Sequence, residues 1–382
     1  RKVERMASDV YEQLADALNK LPNGFPRTDS GVEIRILRLI FSPEEASLAC
    51  QLGEESQPLD AIAKRVGLAT EEAEAKLSNM AEKGMVFPWE KDGKRAFSLA
   101  PFIVGILENT LERNLTTSRR LSPMDHLDTH QFIHLVEEYL ANGGAVGIMK
   151  PQPALHRVLP AQKAVKSEWI LPYDDVLEIL RSAKSFALRE CICRVQQDHI
   201  GHRKCDFPLR TCLFFSSLEA QPYEYDVMKA RKTMISDNIY KQEALEVLDK
   251  AEEIGLVHCV SNVMSGVGYV CNCCGCCCEI LRGITQFGIE HSVAQANYFS
   301  EIDPDKCNEC GICIERCQVH AISYEGGVIV VDRNKCLGCG LCVTGCPINA
   351  ARLEPKPKAE MVHPPADFAE WGHQRLSNRL DD

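Results

Sequence analysis

The chain has 382 residues, room for two or three domains, and its 45% apolar and 25% charged composition is that of a globular protein with packed cores. A net charge of −11 opposes nonspecific attraction to nucleic acid or to an anionic membrane surface, and no apolar run reaches the ~18 residues that cross a bilayer. Twenty cysteines are the outlier. Disulfide scaffolds of that density are short secreted chains, whereas Arg1-Lys2-Val3-Glu4-Arg5 leads into no apolar signal segment. The cytoplasm is therefore the expected compartment, and the thiols are expected on metal.

Residues 1–31 predict a helix from Val3 to Lys20 and a turn-rich link, Leu21-Pro22-Asn23-Gly24-Phe25-Pro26. Over 32–102, Ile34–Phe41 is an apolar helical run, and Ser42-Pro43-Glu44-Glu45 has the order of a capping box with proline at the first helical position. Leu59–Val66 and Thr70–Lys83 predict two more helices, the second ending at Gly84. Met85–Trp89 and Arg95–Leu99 flank Lys91-Asp92-Gly93-Lys94, a hairpin signal. This succession resembles a winged-helix domain.

Residues 103–190 are expected to be mainly helical support, with helices at Phe102–Asn114, Gln131–Ala141 and Asp174–Arg189, the last leading to Cys191. A cysteine-rich central region spans 191–298, divided by a helix over Lys241–Ile254 that Gly255 stops. A compact metal-binding segment follows at 299–354. The Pro-rich tail, 355–382, is expected to be a surface arm that lies on a partner. The expected fold class is α+β.

In 299–354, Cys307-x2-Cys310-x2-Cys313-x3-Cys317 is followed by Cys336-x2-Cys339-x2-Cys342-x3-Cys346-Pro347. Three thiols at that spacing wrap a short loop around one cubane and turn its amides toward the sulfurs. The doubled motif resembles the bacterial two-cluster ferredoxins. That resemblance implies a pseudo-two-fold domain with two [4Fe–4S] clusters and crossed ligation. Cys307, Cys310, Cys313 and Cys346 would hold one cluster, and Cys336, Cys339, Cys342 and Cys317 the other. Gln318 departs from the pattern, standing where a proline usually follows the fourth cysteine. A zinc ribbon would instead need two separate four-ligand sets.

The central cysteines allow more than one assignment. Cys191, Cys193, Cys205 and Cys212 fall within a short stretch and suit one further cubane or a structural zinc, with Arg194 and Pro208 nearby. Cys271, Cys273, Cys274, Cys276, Cys277 and Cys278 are too many for one cubane, and adjacent cysteines point in different directions. The run either serves two sites or completes a site with the Cys191–Cys212 group, giving one or two further Fe–S clusters or a zinc. Cys50, among apolar neighbours, is expected in a core, and Cys259 to be structural.

No glycine-rich phosphate loop appears, since Gly266-Val267-Gly268 lacks the rest of a dinucleotide fingerprint. His126, His130, His134, His156, His199 and His202 are scattered, although His130 and His134 are one helical turn apart. Catalysis would have to occur at a cluster in the central region. An Fe–S redox regulator that binds DNA is a further alternative, but the predicted recognition helix carries Glu71, Glu72, Glu74 and Glu82 against Lys76 and Lys83, which opposes a phosphate backbone. The expected function is therefore electron relay at low potential, as a subunit docked to a larger oxidoreductase of anaerobic metabolism or to another redox partner protein. No DNA partner and no membrane span are expected.

Overall fold

Asp9 opens the first helix, Val10–Asn19, by accepting the Tyr11 N–H at 3.2 Å. The computed structural model describes residues 9–91, 93–115, 127–217 and 238–380. The start of the expected first helix, Asp92 of the hairpin turn and His126 lie outside them. The chain divides into two units, one built on residues up to Ile148 together with the chain end from Arg375, the other on 149–217 and 238–374.

In the first unit, helices occupy Val32–Ile40 and Pro43–Ala49. The Ser42 capping box forms: the Glu45 N–H donates to Ser42 Oγ at 3.2 Å, and the Ser42 N–H donates to Glu45 Oε2 at 2.9 Å. Leu59–Val66 ends at Gly67 (φ 70°), and Thr70–Glu82 buries Ala73, Leu77, Met80 and Ala81. Strands β1 (Gln57–Pro58), β2 (Val86–Lys91) and β3 (Lys94–Leu99) form an antiparallel sheet in the order β1-β3-β2. The helix expected from Phe102 begins later, at Leu107–Leu115, because Ile103, Val104 and Gly105 have non-helical dihedrals. Thr129–Tyr139 is capped by Asp128.

The second unit is organised by a seven-stranded sheet. Its strands are β4 (His156–Leu159), β5 (Ser185–Glu190), β6 (Arg210–Ser216), β7 (Asn238–Ile239), β8 (Val257–Ser261), β9 (Tyr269–Cys273) and β10 (Val293–Ala294), in the order β10-β4-β8-β9-β6-β5-β7. Neighbours are antiparallel except β10 and β4. Here the structure corrects the helix expected over 174–189, of which only Val176–Arg181 is helical. From Ser185 the chain is β5, paired with β6 at Phe186↔Phe215 and Leu188↔Leu213. Sheet hydrogen bonds and burial of Phe186, Ala187 and Leu188 outweigh a helical periodicity that looked sufficient alone. The segment expected as helical support thus contributes β4 and β5 to the sheet that carries the central cysteines.

The helix Lys241–Ile254 lays Ala244 and Leu248 on Leu159, Val176, Phe186, Leu213, Val260 and Val270, and stops at Gly255 (φ 91°). Beyond the sheet, β11 (Tyr298–Ile302) pairs with β14 (Ala351–Pro355), and β12 (Ile322–Glu325) with β13 (Val328–Val331). Two short helices, Ile312–Arg316 and Leu341–Thr344, each follow a left-handed glycine, Gly311 and Gly340. The mixture of helix and sheet agrees with the α+β class.

The tail expected as a surface arm contains a helix, Phe368–Leu380. Trp371 is buried and donates its indole N–H to Ala154 O at 3.0 Å. In the first unit, fully buried Arg375 donates to Pro22 O at 2.8 Å.

Candidate metal centres

The loop from Cys307 to Cys313 curls around a hollow lined by Cys307, Cys310, Cys313 and Cys346, with Ile302, Ile312, Ile329 and Ile348 as apolar walls. A second hollow is lined by Cys317, Cys336, Cys339 and Cys342, with Val319, Ile322, Leu337 and Leu341. The last cysteine of each motif therefore sits with the first three of the other.

The two halves repeat in backbone detail. His320 and Asn349, each three residues after the last cysteine of its motif, are left-handed (φ 54° and 53°). That bend lets the next amide reach back, so Ala321 N–H donates to Cys317 Sγ at 3.1 Å and Ala350 N–H to Cys346 Sγ at 3.2 Å. Glu309 N–H donates to Cys307 Sγ at 3.4 Å, and Ser300 Oγ lies 3.1 Å from Cys342 Sγ. Amide donors on sulfur stabilise thiolates and tune an attached cluster.

The hollows differ in exposure. Cys310 is open to solvent, whereas Cys336 and Cys342 are buried. Burial pushes the Cys342 thiol up to about 12, against the opposing bond from Ser300. Burial also raises Cys346, but the amides from Ile348 to Ala351 more than offset it and leave that thiol below its ordinary value.

The central thiols do not divide by sequence block. Cys271 and Cys273 alternate onto one face of β9, Cys259 of β8 stands opposite Cys271, and β6 brings Cys212 alongside. Cys191 caps the helix Ile192–His199, Cys193 lies in its first turn, and Cys278 caps Glu279–Thr285. Six of these thiols hydrogen-bond around a closed loop: Cys191 to Cys193 and Cys212, Cys278 to Cys193 and Cys273, Cys271 to Cys212 and Cys273. Cys191, Cys271 and Cys278 accept from two neighbours each and are held well below the ordinary thiol value, while Cys193, Cys212 and Cys273 are raised. Cys259 joins as a seventh thiol beside Cys273.

Cys205 parts from Cys191, Cys193 and Cys212. It gathers instead with Cys274, Cys276 and Cys277, all four sulfurs lying within 4.8 Å of one another. Fully buried Arg194 stands between the groups, with Nη1 3.7 Å from Cys274 Sγ and 3.1 Å from Asn272 O. Burial alone would lower its pKa, but the thiolates of Cys191, Cys212 and Cys274 more than offset that and keep it charged.

Sequence reasoning singled out Arg194 by position alone and took Cys259 as merely structural. The contact that joins Cys259 to the thiol loop is a β8–β9 register, which no local spacing announces. Gln318, the departure from the ferredoxin pattern, holds two bonds: its Oε1 accepts the Gly275 N–H at 3.0 Å, and its Nε2 donates to Gly255 O at 3.0 Å. Cys50 is half-buried, 3.7 Å from Val10 O. His130 and His134 approach to 3.0 Å between their Nε2 atoms, with no third ligand beside them among the described residues.

A family model described as a 4Fe-4S dicluster domain matches residues 299–347, the segment that contains both hollows. No curated protein and no solved structure matches the chain. The dicluster domain and the gathered thiols together mark an iron–sulfur protein of the electron-transfer kind. No described helix is long and apolar enough to cross a membrane.

Proposed function

We propose that the chain is a low-potential electron-relay protein, a cytoplasmic subunit that docks to a larger oxidoreductase of anaerobic metabolism. Its C-terminal domain would hold two [4Fe–4S] clusters, one on Cys307, Cys310, Cys313 and Cys346, the other on Cys317, Cys336, Cys339 and Cys342. Such clusters supply one-electron carriers whose potential depends on hydrogen bonds to sulfur and on exposure. The observation that carries the proposal is the crossed membership of the two hollows, each with four thiols, apolar walls and amides directed at sulfur.

The chain's own residues support a route for the electrons. The hollow with exposed Cys310 faces solvent, where a partner could dock, while the Cys336 hollow joins through Cys317 and Gln318 to the central thiols. Electrons would pass between a buried polythiol centre and the surface. The first unit, with its winged-helix-like order of elements, would serve docking.

Iron and acid-labile sulfide counts on anaerobically purified protein test this. Wild type should carry at least about eight of each, and Cys313→Ala should lose about four of each. A variant with an unchanged count would overturn the ligand assignment.

A second function, catalysis at a cluster in the central region, is favoured by one observation. Seven thiols gather around Cys273 and Cys191 where four would hold a cubane. Ligands in excess of four suit a cluster larger than one cubane.

A further inference from the structure

The structure assigns a mononuclear tetrathiolate site to Cys205, Cys274, Cys276 and Cys277, and we infer that it takes one thiophilic divalent ion without sulfide, either zinc or a lone iron. The sulfur separations carry the inference. Cys205 Sγ lies 3.9 Å from Cys274 Sγ and 3.8 Å from Cys277 Sγ, while Cys276 Sγ lies 3.7 Å from Cys274 Sγ and 3.5 Å from Cys277 Sγ. Four thiolates bonded to one tetrahedral ion at ~2.3 Å stand about 3.8 Å apart along each edge. A cubane places each thiolate on a different iron, with iron and sulfide between them, so its four ligands must stand apart around a hollow. The same chain supplies the contrast: among the described residues, the thiols of the two ferredoxin-type hollows make their hydrogen bonds to amides and to Ser300, not to one another. Nor are these disulfides, since all four cysteines are free and bonded sulfurs would lie ~2.05 Å apart.

Two arms build the site. On the first, the Cys278 N–H donates to Cys274 O at 3.2 Å, curling residues 274–278 so that three thiols converge and Cys278 turns away to the larger group. Gly275 lets the Gln318 backbone lie against this turn: a Cβ there would meet the Gln318 carbonyl oxygen at 1.8 Å. Thr285 Oγ1 donates to Gly275 O at 2.8 Å. On the second arm, Arg203 donates to Cys205 O at 2.8 Å and to Phe207 O, fixing the loop that presents Cys205.

The surroundings match the charge of such a centre. Cys274 and Cys277 are buried with Ala251 and Leu256, and Ile254 and Phe207 pack against them, while Cys205 and Cys276 are half-buried. A divalent ion on four thiolates is doubly negative, and the Arg194 guanidinium beside Cys274 compensates part of that charge. The ion would pin the Cys205 loop to the turn that Gln318 grips, beside the Cys317 hollow.

The test counts zinc, iron and acid-labile sulfide in the full-length protein, purified anaerobically, for wild type and Cys276→Ser. The expected result is loss of about one metal ion per chain and no sulfide in the variant. Loss of zinc identifies a zinc site, and loss of iron without sulfide a lone iron. Loss of about four irons with about four sulfides, or no change in metal, would overturn the inference. Should the variant fail to accumulate, wild type decides: zinc or sulfide-unmatched iron of about one per chain supports the site, and neither refutes it. Failure of the relay function would appear instead in Cys313→Ala, whose counts concern other thiols.

Discussion

Asp174 lies 2.9 Å from the Arg157 guanidinium, both side chains almost fully buried. Burial pushes its carboxyl up to about 6, against the pull of Arg157 and then of His363. The folded protein therefore holds this proton more tightly than the unfolded chain, whose aspartates titrate near ~3.9. The resulting contribution to stability is full below about pH 4 and is lost as pH rises through about 6, on the order of 3 kcal/mol in all. Asp174→Asn removes the titration. Urea denaturation of both proteins should give a stability difference, wild type minus variant, that falls by that order between about pH 4 and about pH 7. A difference that is flat with pH would show that Asp174 stays ionised in the fold. None of this was legible in the sequence, where Asp174 reads only as the start of an expected helix and nothing links it to Arg157. Their meeting depends on β4 bringing Arg157 to the turn that precedes Val176–Arg181.

Among elements, helices with local punctuation were the most legible. Ser42 and Glu45 announce Pro43–Ala49, Gly67 separates Leu59–Val66 from Thr70–Glu82, and Gly255 ends Lys241–Ile254. Each signal works through groups a few residues apart, so no distant partner is required. The stretch after Asp174 failed for the converse reason, since its last residues pair with a strand that arrives more than twenty residues later. The helix Thr70–Glu82 bears on function. Glu71, Glu72 and Glu82 are exposed, while Lys76 is engaged by Glu44 at 3.3 Å and Arg95 by Glu74 at 2.7 Å. Lys83, at the end of this helix, is likewise engaged by Glu45, so among the described residues both lysines of the helix already meet carboxylates. An electrophoretic shift assay should detect no duplex binding at ~0.15 M salt and micromolar protein. A sequence-specific shift under those conditions would restore the regulator alternative.

For the whole molecule, charge sets the manner of encounter. The chain carries −11 before any cluster, and each oxidised cubane on four thiolates adds roughly two more negative charges. Asp305 and Glu309 are exposed around the open Cys310 loop. Electron exchange with a positively charged carrier should slow steeply as salt rises from ~0.05 to ~0.5 M, in stopped-flow mixing. A salt-independent rate would mean that charge does not steer docking.

The sequence by itself determined that the chain has an iron–sulfur domain near its C-terminus, because two loops of three cysteines at fixed short spacing can be recognised without knowing what surrounds them. It also fixed the limits of the central problem, since ten clustered thiols exceed any single four-ligand site. The tertiary structure alone decided the partition of those thiols. Cys205 leaves its sequence neighbours for the 274–277 turn, and Cys259 enters through the pairing of β8 with β9. Sequence spacing constrains ligands only over the few residues of one loop, whereas which loops meet is settled by sheet register and by the packing that brings the strands together.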